Sequence, residues 1–381
     1  MPKILYVDFD PESDAVRMKI SGIRRRLAFC GMDVETVPSP GSRPKGLAAT
    51  LSRLNPEGCI VECSLGNDDL PPRFFGGLPV VYLDGRSSLY GGKTQMVVHD
   101  GAATARGAFK ILMKTRPSCL AVVGWREKVF WSSLREKTFA ARSREADMPC
   151  RLFRCGGDGR ERFRRLVRWI SRLPRDCGVF ATNDLVAREV LSACAAAGRP
   201  VPGDLKVLGV DNVPSVCEGC TPTLSSIQID FEQAGYRAAD LLLRKMAGDV
   251  RRAARTTFGP MLTVHRGSTG GARRQDQNVL QAIDVIRNGA CRGLRAGDLA
   301  KRLGCSRRLI ELRFRESVGH SILDEIQSVR LERVLGLLRN PSVPLEAIPA
   351  QAGFPTAAAL RKAFRQRLGC SLREWRARNL D

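Results

Sequence analysis

Within the first two thirds of this 381-residue chain, short apolar runs end on side chains able to hold a small polar molecule. Asp8, Asp84, Asp100, Asn183 and Asp211 each close one such run, and Trp125 follows another. Carboxylates and amides engage several hydroxyls at once, while an indole face covers the C–H face of a pyranose, so the inventory suits a sugar. For Asp8, Asp84 and Asp100 the plainer expectation is that they cap the helices that follow. Arg135 stands apart. Ser133-Leu134-Arg135-Glu136 reads as a capping box, which would set a cation in the first turn of a helix, where the dipole disfavours it. Such an arginine needs an anion nearby, either a ligand oxygen or Asp211; the alternative is a solvated surface arginine.

Other chemistry finds little support. Cys217-Glu218-Gly219-Cys220 has redox or zinc spacing, but no second pair accompanies it and the chain holds only His99, His265 and His320, so no metal site is expected. Gly156-Gly157-Asp158-Gly159 shares only its glycine content with phosphate loops and reads as a turn. No Ser/His/Asp grouping has support beyond residue types, and scarce histidine weighs against acid–base catalysis. No catalytic residue and no cofactor is expected, and the chain reads as a non-enzyme.

The elements that must position these residues alternate. Strands are predicted at Ile4–Val7, Cys59–Glu62, Pro79–Leu83, Gln95–Val98, Cys119–Val123, Cys177–Ala181 and Leu205–Val210. Amphipathic stretches lie between them at Asp14–Phe29, Ala102–Met113, Arg160–Ser171 and Leu185–Ala197, and Ser225-Ser226-Ile227-Gln228 leads into a helical run over Phe231–Met246. The fold class is α/β, with parallel sheets in two lobes, where ligands sit beyond the carboxyl ends of the strands. Around 266–272 the pattern gives way to small residues. The expected domains are residues 1–266, a linker at 267–277 and a helical domain at 278–381.

Charge separates these parts. The chain carries 62 basic and 39 acidic residues, a formal net charge of +23. Residues 273–381 hold 21 and 11 of them, about twice the charge density of the rest, and such an excess favours a polyanion such as nucleic acid. Two segments there share one pattern: Leu299-Ala300-Lys301-Arg302-Leu303-Gly304-Cys305-Ser306 continuing to Ile310 and Phe314, and Ala347-Ile348-Pro349-Ala350-Gln351-Ala352-Gly353-Phe354 continuing to Leu360 and Phe364. Each reads as a helix-turn-helix unit, and the predicted helix Ile322–Leu338 joins them. The pair, with Gly353-Phe354, Phe364-Arg365, Gly369-Cys370-Ser371 and Trp375-Arg376, resembles the AraC-type DNA-binding domain over about 278–379. Pro349 departs from that pattern and predicts a kink, and Leu372 stands where a proline is usual. With Ile310 and Phe314 facing the core, Arg307, Arg308, Glu311 and Leu312 are left for the major groove; on the second helix the counterparts are Thr356, Ala357, Ala358, Arg361 and Lys362. Arg308 suits guanine and Glu311 cytosine, whereas the alanine-rich second helix suits phosphates and thymine methyls.

Val179-Phe180-Ala181-Thr182-Asn183-Asp184-Leu185-Val186-Ala187, Leu208-Gly209-Val210-Asp211-Asn212 and Gly235-Tyr236-Arg237-Ala238-Ala239 resemble the effector domain of LacI-type regulators and periplasmic sugar-binding proteins. The resemblance implies that Arg135, Asn183 and Asp211 contact a bound sugar, with Asp8 and Trp125 as further candidates. A chain joining such a domain to a C-terminal AraC-type domain is similar to regulators of the xylose-operon type, a likeness that extends to Gln281–Arg287 at the entry to the second domain. What this implies is a cytoplasmic, sugar-responsive regulator that binds duplex DNA, works as a homodimer, touches no membrane and has RNA polymerase among its partners. The rival reading is a cytoplasmic sugar-binding or sugar-modifying protein with a basic helical tail. The exact sugar, the operator, and the choice between activation and repression stay open.

Overall fold

A computed structural model describes residues 3–8, 13–38, 45–64, 70–85, 94–125, 129–154, 159–248, 254–271, 275–318 and 320–380. The chain divides into two compact units, Met1–Ala272 and Arg273–Asp381. Gly156-Gly157-Asp158, read above as part of a turn, lie outside the described residues, and no described helix is long and apolar enough to cross a membrane.

The first unit is built on twelve described strands: β1 (Lys3–Asp8), β2 (Asp33–Pro38), β3 (Gly58–Glu62), β4 (Val80–Leu83), β5 (Gln95–His99), β6 (Cys119–Gly124), β7 (Cys150–Arg154), β8 (Cys177–Ala181), β9 (Leu205–Asp211), β10 (Ser225–Ile229), β11 (Ala254–Phe258) and β12 (Pro260–Val264). They form two six-stranded sheets, ordered β11-β5-β4-β3-β1-β2 and β12-β10-β9-β8-β6-β7. Every pairing is parallel except that of β10 with β12. All seven predicted strands are present. The four that the pattern missed without trace, β2, β7, β11 and β12, are the four sheet edges. Along each of them exposed or half-buried positions interrupt the buried ones, so no continuous apolar run marks it. β10 was legible only as a lead-in because Ser225, Ser226 and Gln228 are buried polar residues inside the sheet.

The chain passes between the two lobes three times, after β5, after β10 and between β11 and β12. These crossings lie side by side: Asp100 N–H donates to Phe258 O at 2.7 Å and Asp230 N–H to Gly259 O at 3.1 Å. Both aspartates are also N-caps, accepting from Ala103 N and Gln233 N, so the same residue type ends a strand of one lobe and starts a helix of the other.

Helices Asp14–Leu27 and Phe231–Met246 cross at glycine. A methyl group at Gly22 would overlap the Glu232 carbonyl, and one at Gly235 the Lys19 carbonyl, so the two backbones touch where each lacks a side chain. Gly235→Ala is therefore expected to cost about 1 to 3 kcal/mol, by forcing apart helices that also carry Lys19 and Phe231. A denaturant midpoint equal to wild type would refute that account.

Two expectations about boundaries need correction. Helix Phe130–Glu145 starts three residues before the supposed capping box, behind the extended Val129, so Ser133 lies inside the helix and Arg135 in its second turn. The dipole argument fails there, although the demand for an anion stands on burial instead. Residues 267–271, expected to open the linker, are built into the first unit. Gly267–Thr269 forms a 3-10 turn, and the buried Ser268 donates to Val207 O at 2.7 Å and accepts from Ser225 N at 2.8 Å. Beside it Arg266 donates to Asn212 Oδ1 and Leu224 O, both at 2.9 Å, and to Glu218 Oε1 at 2.8 Å. Small residues here serve close packing rather than flexibility.

The second unit is helical: Gln275–Gly289, Ala296–Arg302, Arg307–Val318, Ile322–Leu338, Ile348–Gln351, Ala357–Leu368 and Leu372–Leu380. At the expected kink, Pro349 divides the first helix of the second unit into a 3-10 turn, Leu345–Ala347, and a fresh α turn in which it takes one of the first two positions, where no N–H is needed.

Candidate functional site

A cavity of about 380 Å³ opens between the carboxyl ends of the two sheets, at the lower end of the range for small-molecule sites. The first lobe contributes Ser13, Asp14, Arg17, Lys19, Ser64 and Asp84; the second contributes Trp125, Trp131, Arg135, Asn183, Asp184, Asp211 and Val213. Of the five expected ligand residues the structure gathers four here: Trp125, Arg135, Asn183 and Asp211. Asp8 is buried at the end of β1 and is not among the described lining residues; it bears on the cavity through its field on Lys19 and Tyr6.

Arg135 sits at the centre, only 4% exposed. One terminal nitrogen donates to the Thr182 carbonyl, the other lies 3.2 Å from His99 Nδ1 and 3.9 Å from Asp211 Oδ1, and Nε has no partner among the described residues. Burial pulls its pKa below the ordinary value against the raising influence of Asp211, Asp84 and Asp184. A guanidinium only donates, so His99 Nδ1 must accept, which places the ring proton on Nε2, 3.0 Å from Thr104 Oγ1. Burial, with Arg135 and Lys19 beside it, holds His99 well below the usual histidine range, consistent with that neutral tautomer.

Asp211 ends β9 with φ 104° and Asn212 follows at φ 53°, a left-handed pair without glycine. The corner is held by buried bonds: Asn212 N donates to Ser226 Oγ at 3.0 Å, its Nδ2 to Gln228 Oε1 at 2.8 Å, and Ser226 Oγ to Asp184 Oδ1 at 2.6 Å. Asn183 caps helix Asp184–Ala196, its side chain accepting from Val186 N at 2.9 Å, so what it can still offer a ligand is its amide NH2. Trp125 and Trp131 have ring centroids 5.9 Å apart, and Trp131 Nε1 reaches across to Ser64 O at 3.2 Å.

Several lining residues escaped the sequence pattern. Asp84 was marked by the strand-end rule but assigned to helix capping; it lines the cavity at φ 56°, accepting from His99 N at 2.7 Å and lying 3.5 Å from Lys19 Nζ. Asp100, by contrast, is a cap, as expected. Lys19 is buried and donates to Glu62 at 2.6 Å, beside the Tyr6 hydroxyl bond to the same carboxylate at 2.8 Å. Burial alone would lower the Lys19 pKa, but Glu62 and Asp84 hold it above the ordinary value. No periodicity marks Lys19, which lies on the buried face of an arginine-rich helix.

Burial, with Asp211 adding to it, pushes the Asp184 carboxyl up to about 7 despite bonds from Ser226, Val213 and Cys217. The folded protein then keeps a proton that the unfolded chain releases near pH 4, so this group erodes stability as pH rises from about 4 to about 7. Asp184→Asn should accordingly gain a few degrees of melting temperature relative to wild type across that window and no more above it. A constant difference between the two melting curves would contradict this assignment. Cys217 Sγ donates to Asp184 Oδ2 at 3.3 Å, so one member of the CxxC pair serves that carboxylate, and no group of three metal-binding side chains occurs among the described residues.

The second unit presents its own surface. Gly304 at φ 60° and Gly353 at φ 76° make the two turns, and a Cβ at Gly353 would also collide with Ala290 and Cys291. Ile310 and Phe314 are buried, leaving Arg307, Arg308 and Leu312 exposed and Glu311 half-buried. On the second helix Ala357, Ala358, Arg361 and Lys362 are exposed, and Thr356 is the N-cap, accepting from Ala359 N at 3.1 Å. The pattern did not single out Arg330. From the connecting helix it donates to Ala290 O and Leu294 O at 2.9 Å each, and its guanidinium lies 5.7 Å from the Phe354 ring, tying the segment ahead of helix Ala296–Arg302 and the residue after Gly353 to one helix.

Residues 117–269 match the periplasmic binding protein-like domain and residues 299–378 the helix-turn-helix domain. The chain thus joins a periplasmic binding protein-like domain to a helix-turn-helix domain. It is 32% identical over 217 residues to the xylose operon regulatory protein of Escherichia coli K12, an alignment spanning 57% of this chain and 55% of that protein. The Haemophilus influenzae protein of the same description is 29% identical over 218 residues, 57% and 56% of the two chains. The matches thus span little more than half the length of these relatives. A solved structure of a xylose-binding transcription activator superposes with a TM-score of 0.60 over the whole of both chains at 23% identity, which is a likeness of fold. Within the binding-protein-like domain, the cavity at the sheet ends is where such a fold places a ligand; within the helix-turn-helix domain, the exposed helices Arg307–Val318 and Ala357–Leu368 are the elements of groove size.

Proposed function

We propose that the chain is a cytoplasmic, sugar-responsive transcription regulator and not an enzyme. The observation that carries this is the joining, in one chain, of a cavity built around buried Arg135 and Asn183 and half-buried Asp211 with two tandem units whose outward helix faces are basic and exposed. Arg135 and Asn183 donate to sugar hydroxyls, Asp211 accepts from them, and Trp125 with Trp131 covers the ring. Carboxylates outnumber the cations around the cavity once Lys19 is paired with Glu62 and Arg17 with Asp14, which favours a neutral sugar over a sugar acid. Xylose is the first sugar to try, since the relatives are described by that operon. Arg307, Arg308, Glu311 and Leu312 read one groove segment, and Thr356, Ala357, Arg361 and Lys362 the next.

The protein works as a homodimer on repeated half-sites and meets RNA polymerase at the promoter. The rival reading, a sugar-binding or sugar-modifying protein with a solvated tail, leaves two groove-sized helices without a task. Gel shifts on the protein's own upstream DNA, with and without pentoses and hexoses, test the proposal. A complex whose affinity changes with one sugar supports it, while no complex under any condition rejects it. Sedimentation of a monomer at micromolar concentration, with and without DNA, would remove the dimer.

A further inference from the structure

The net charge of the first unit is not spread evenly. Residues 150–175 contain nine arginines and two acidic residues, an excess of 7 in under a tenth of the unit, out of an excess of 13 for residues 1–272. In the fold they come together on one edge. β7 ends its sheet, pairing only with β6, and helix Gly159–Ser171 lies against it. The helix turns Leu166 and Ile170 inward, with Trp169 5.2 Å from Phe153 of β7, and leaves Arg160, Arg164, Arg165 and Arg168 exposed, followed by Arg172 and Arg175. On the strand Arg151 and Arg154 are exposed, and Arg151 donates to Arg172 O at 3.0 Å, joining the strand's row to the helix's row.

Part of this charge is neutralised internally: Arg154 by Glu136, Arg162 by Glu189, and Arg175 loosely by Asp204 at 3.8 Å. Arg151, Arg164, Arg165, Arg168 and Arg172 have no carboxylate within ion-pair reach among the described residues. Arg164, Arg168 and Arg172 stand four residues apart, and like charges at that spacing destabilise a helix. An ordinary solvated face alternates signs. A surface that keeps its own repulsion is suited to an anion from outside.

Three occupants can be compared. A second copy docking symmetrically would set arginine against arginine. A membrane surface calls for an apolar face to insert, and the apolar face of this helix is already packed on the sheet. A duplex phosphate backbone needs only positive charge, and steps of about 6 Å along a helix face suit repeated guanidinium–phosphate contacts. We infer that this arginine edge, on β7 and helix Gly159–Ser171, is a second, sequence-independent contact surface for duplex DNA, outside the helix-turn-helix domain. The inference rests on the reading of the chain as a DNA-binding regulator.

The test uses the full chain with Arg164, Arg165, Arg168 and Arg172 all changed to Gln, on the protein's own upstream duplex and on an unrelated duplex of equal length. The slope of log affinity against log salt should fall by about 3.6 on both duplexes, with the preference between them kept. Sugar affinity should not move, since none of the four lines the cavity. A variant with Arg308→Ala and Lys362→Ala should keep an unspecific DNA affinity that the four glutamines then remove. Should the fourfold variant not fold, Arg168→Gln alone repeats the test with an expected slope change of about 0.9. An unchanged salt slope overturns the inference. So does a change confined to sedimentation, which would mark an interface between copies, or capture by phosphatidylserine vesicles that depends on these arginines while DNA binding does not. Wild-type protein that binds neither duplex brings down the regulator reading and this surface together, whereas wild-type binding matched by the fourfold variant removes the surface alone.

Discussion

Asp211→Ala is expected to weaken sugar binding more than about a hundredfold while leaving the DNA affinity of the sugar-free protein unchanged. The carboxylate leaves the end of β9 on a backbone held at φ 104°, faces the cavity and lies 3.9 Å from Arg135. A sugar bridging the two would make at least two charge-assisted hydrogen bonds to Asp211, each worth about 1.5 to 3 kcal/mol. Alanine removes both. The fold should tolerate the change, since Arg135 keeps its bond to the Thr182 carbonyl and the field of Asp84 and Asp184. Asp211→Asn, similar in shape but uncharged, should fall between alanine and wild type. Because a ligand shifts a conformational balance only through a difference in affinity for the two states, a protein that cannot clamp the sugar should also lose its response. Calorimetry decides the matter. Alanine and wild type binding the same monosaccharide equally well would show that the clamp lies elsewhere.

The second large effect concerns the helical unit alone. Residues 273–381 form a compact body with their own buried core, including Ile310, Phe314, Leu360 and Phe364, so the fragment should fold and bind duplex DNA. With about six phosphates neutralised, its affinity should drop roughly a thousandfold between about 50 and 200 mM salt. Within it the two recognition helices should behave differently. Arg308→Ala removes an exposed guanidinium suited to guanine and should cost about 1 to 3 kcal/mol on the cognate site while relaxing base preference. Lys362→Ala, on a helix whose first exposed side chains are Ala357 and Ala358, should weaken every sequence alike. Fluorescence anisotropy across a salt series reads both. A folded fragment with no salt-dependent affinity would contradict the assignment of the whole unit.

The two helical turns were legible because glycine, apolar spacing and a polar helix start all lie within a few residues of one another. Helix Ile322–Leu338 has the limits its pattern predicts, and Ile310 and Phe314 face inward as their spacing requires. Local rules also located the central strands, whose two buried faces demand unbroken apolar runs. Strand-end polarity then pointed to Asn183 and Asp211 without any knowledge of what lay opposite. What it could not do was separate Asp84, which lines the cavity, from Asp100, which caps a helix, since both are an aspartate closing a buried strand. The edge strands, the polar β10 and the packed turn at 267–269 likewise depend on partners far along the chain. Lys19 owes its place to Glu62 and Asp84, and Arg135 its isolation to Thr182, His99 and Asp211. A sequence by itself determines what each segment can bury and where it must turn. Which polar groups end up facing one another is decided only in the folded protein, because a buried charge is tolerated only where segments far along the chain supply its partner.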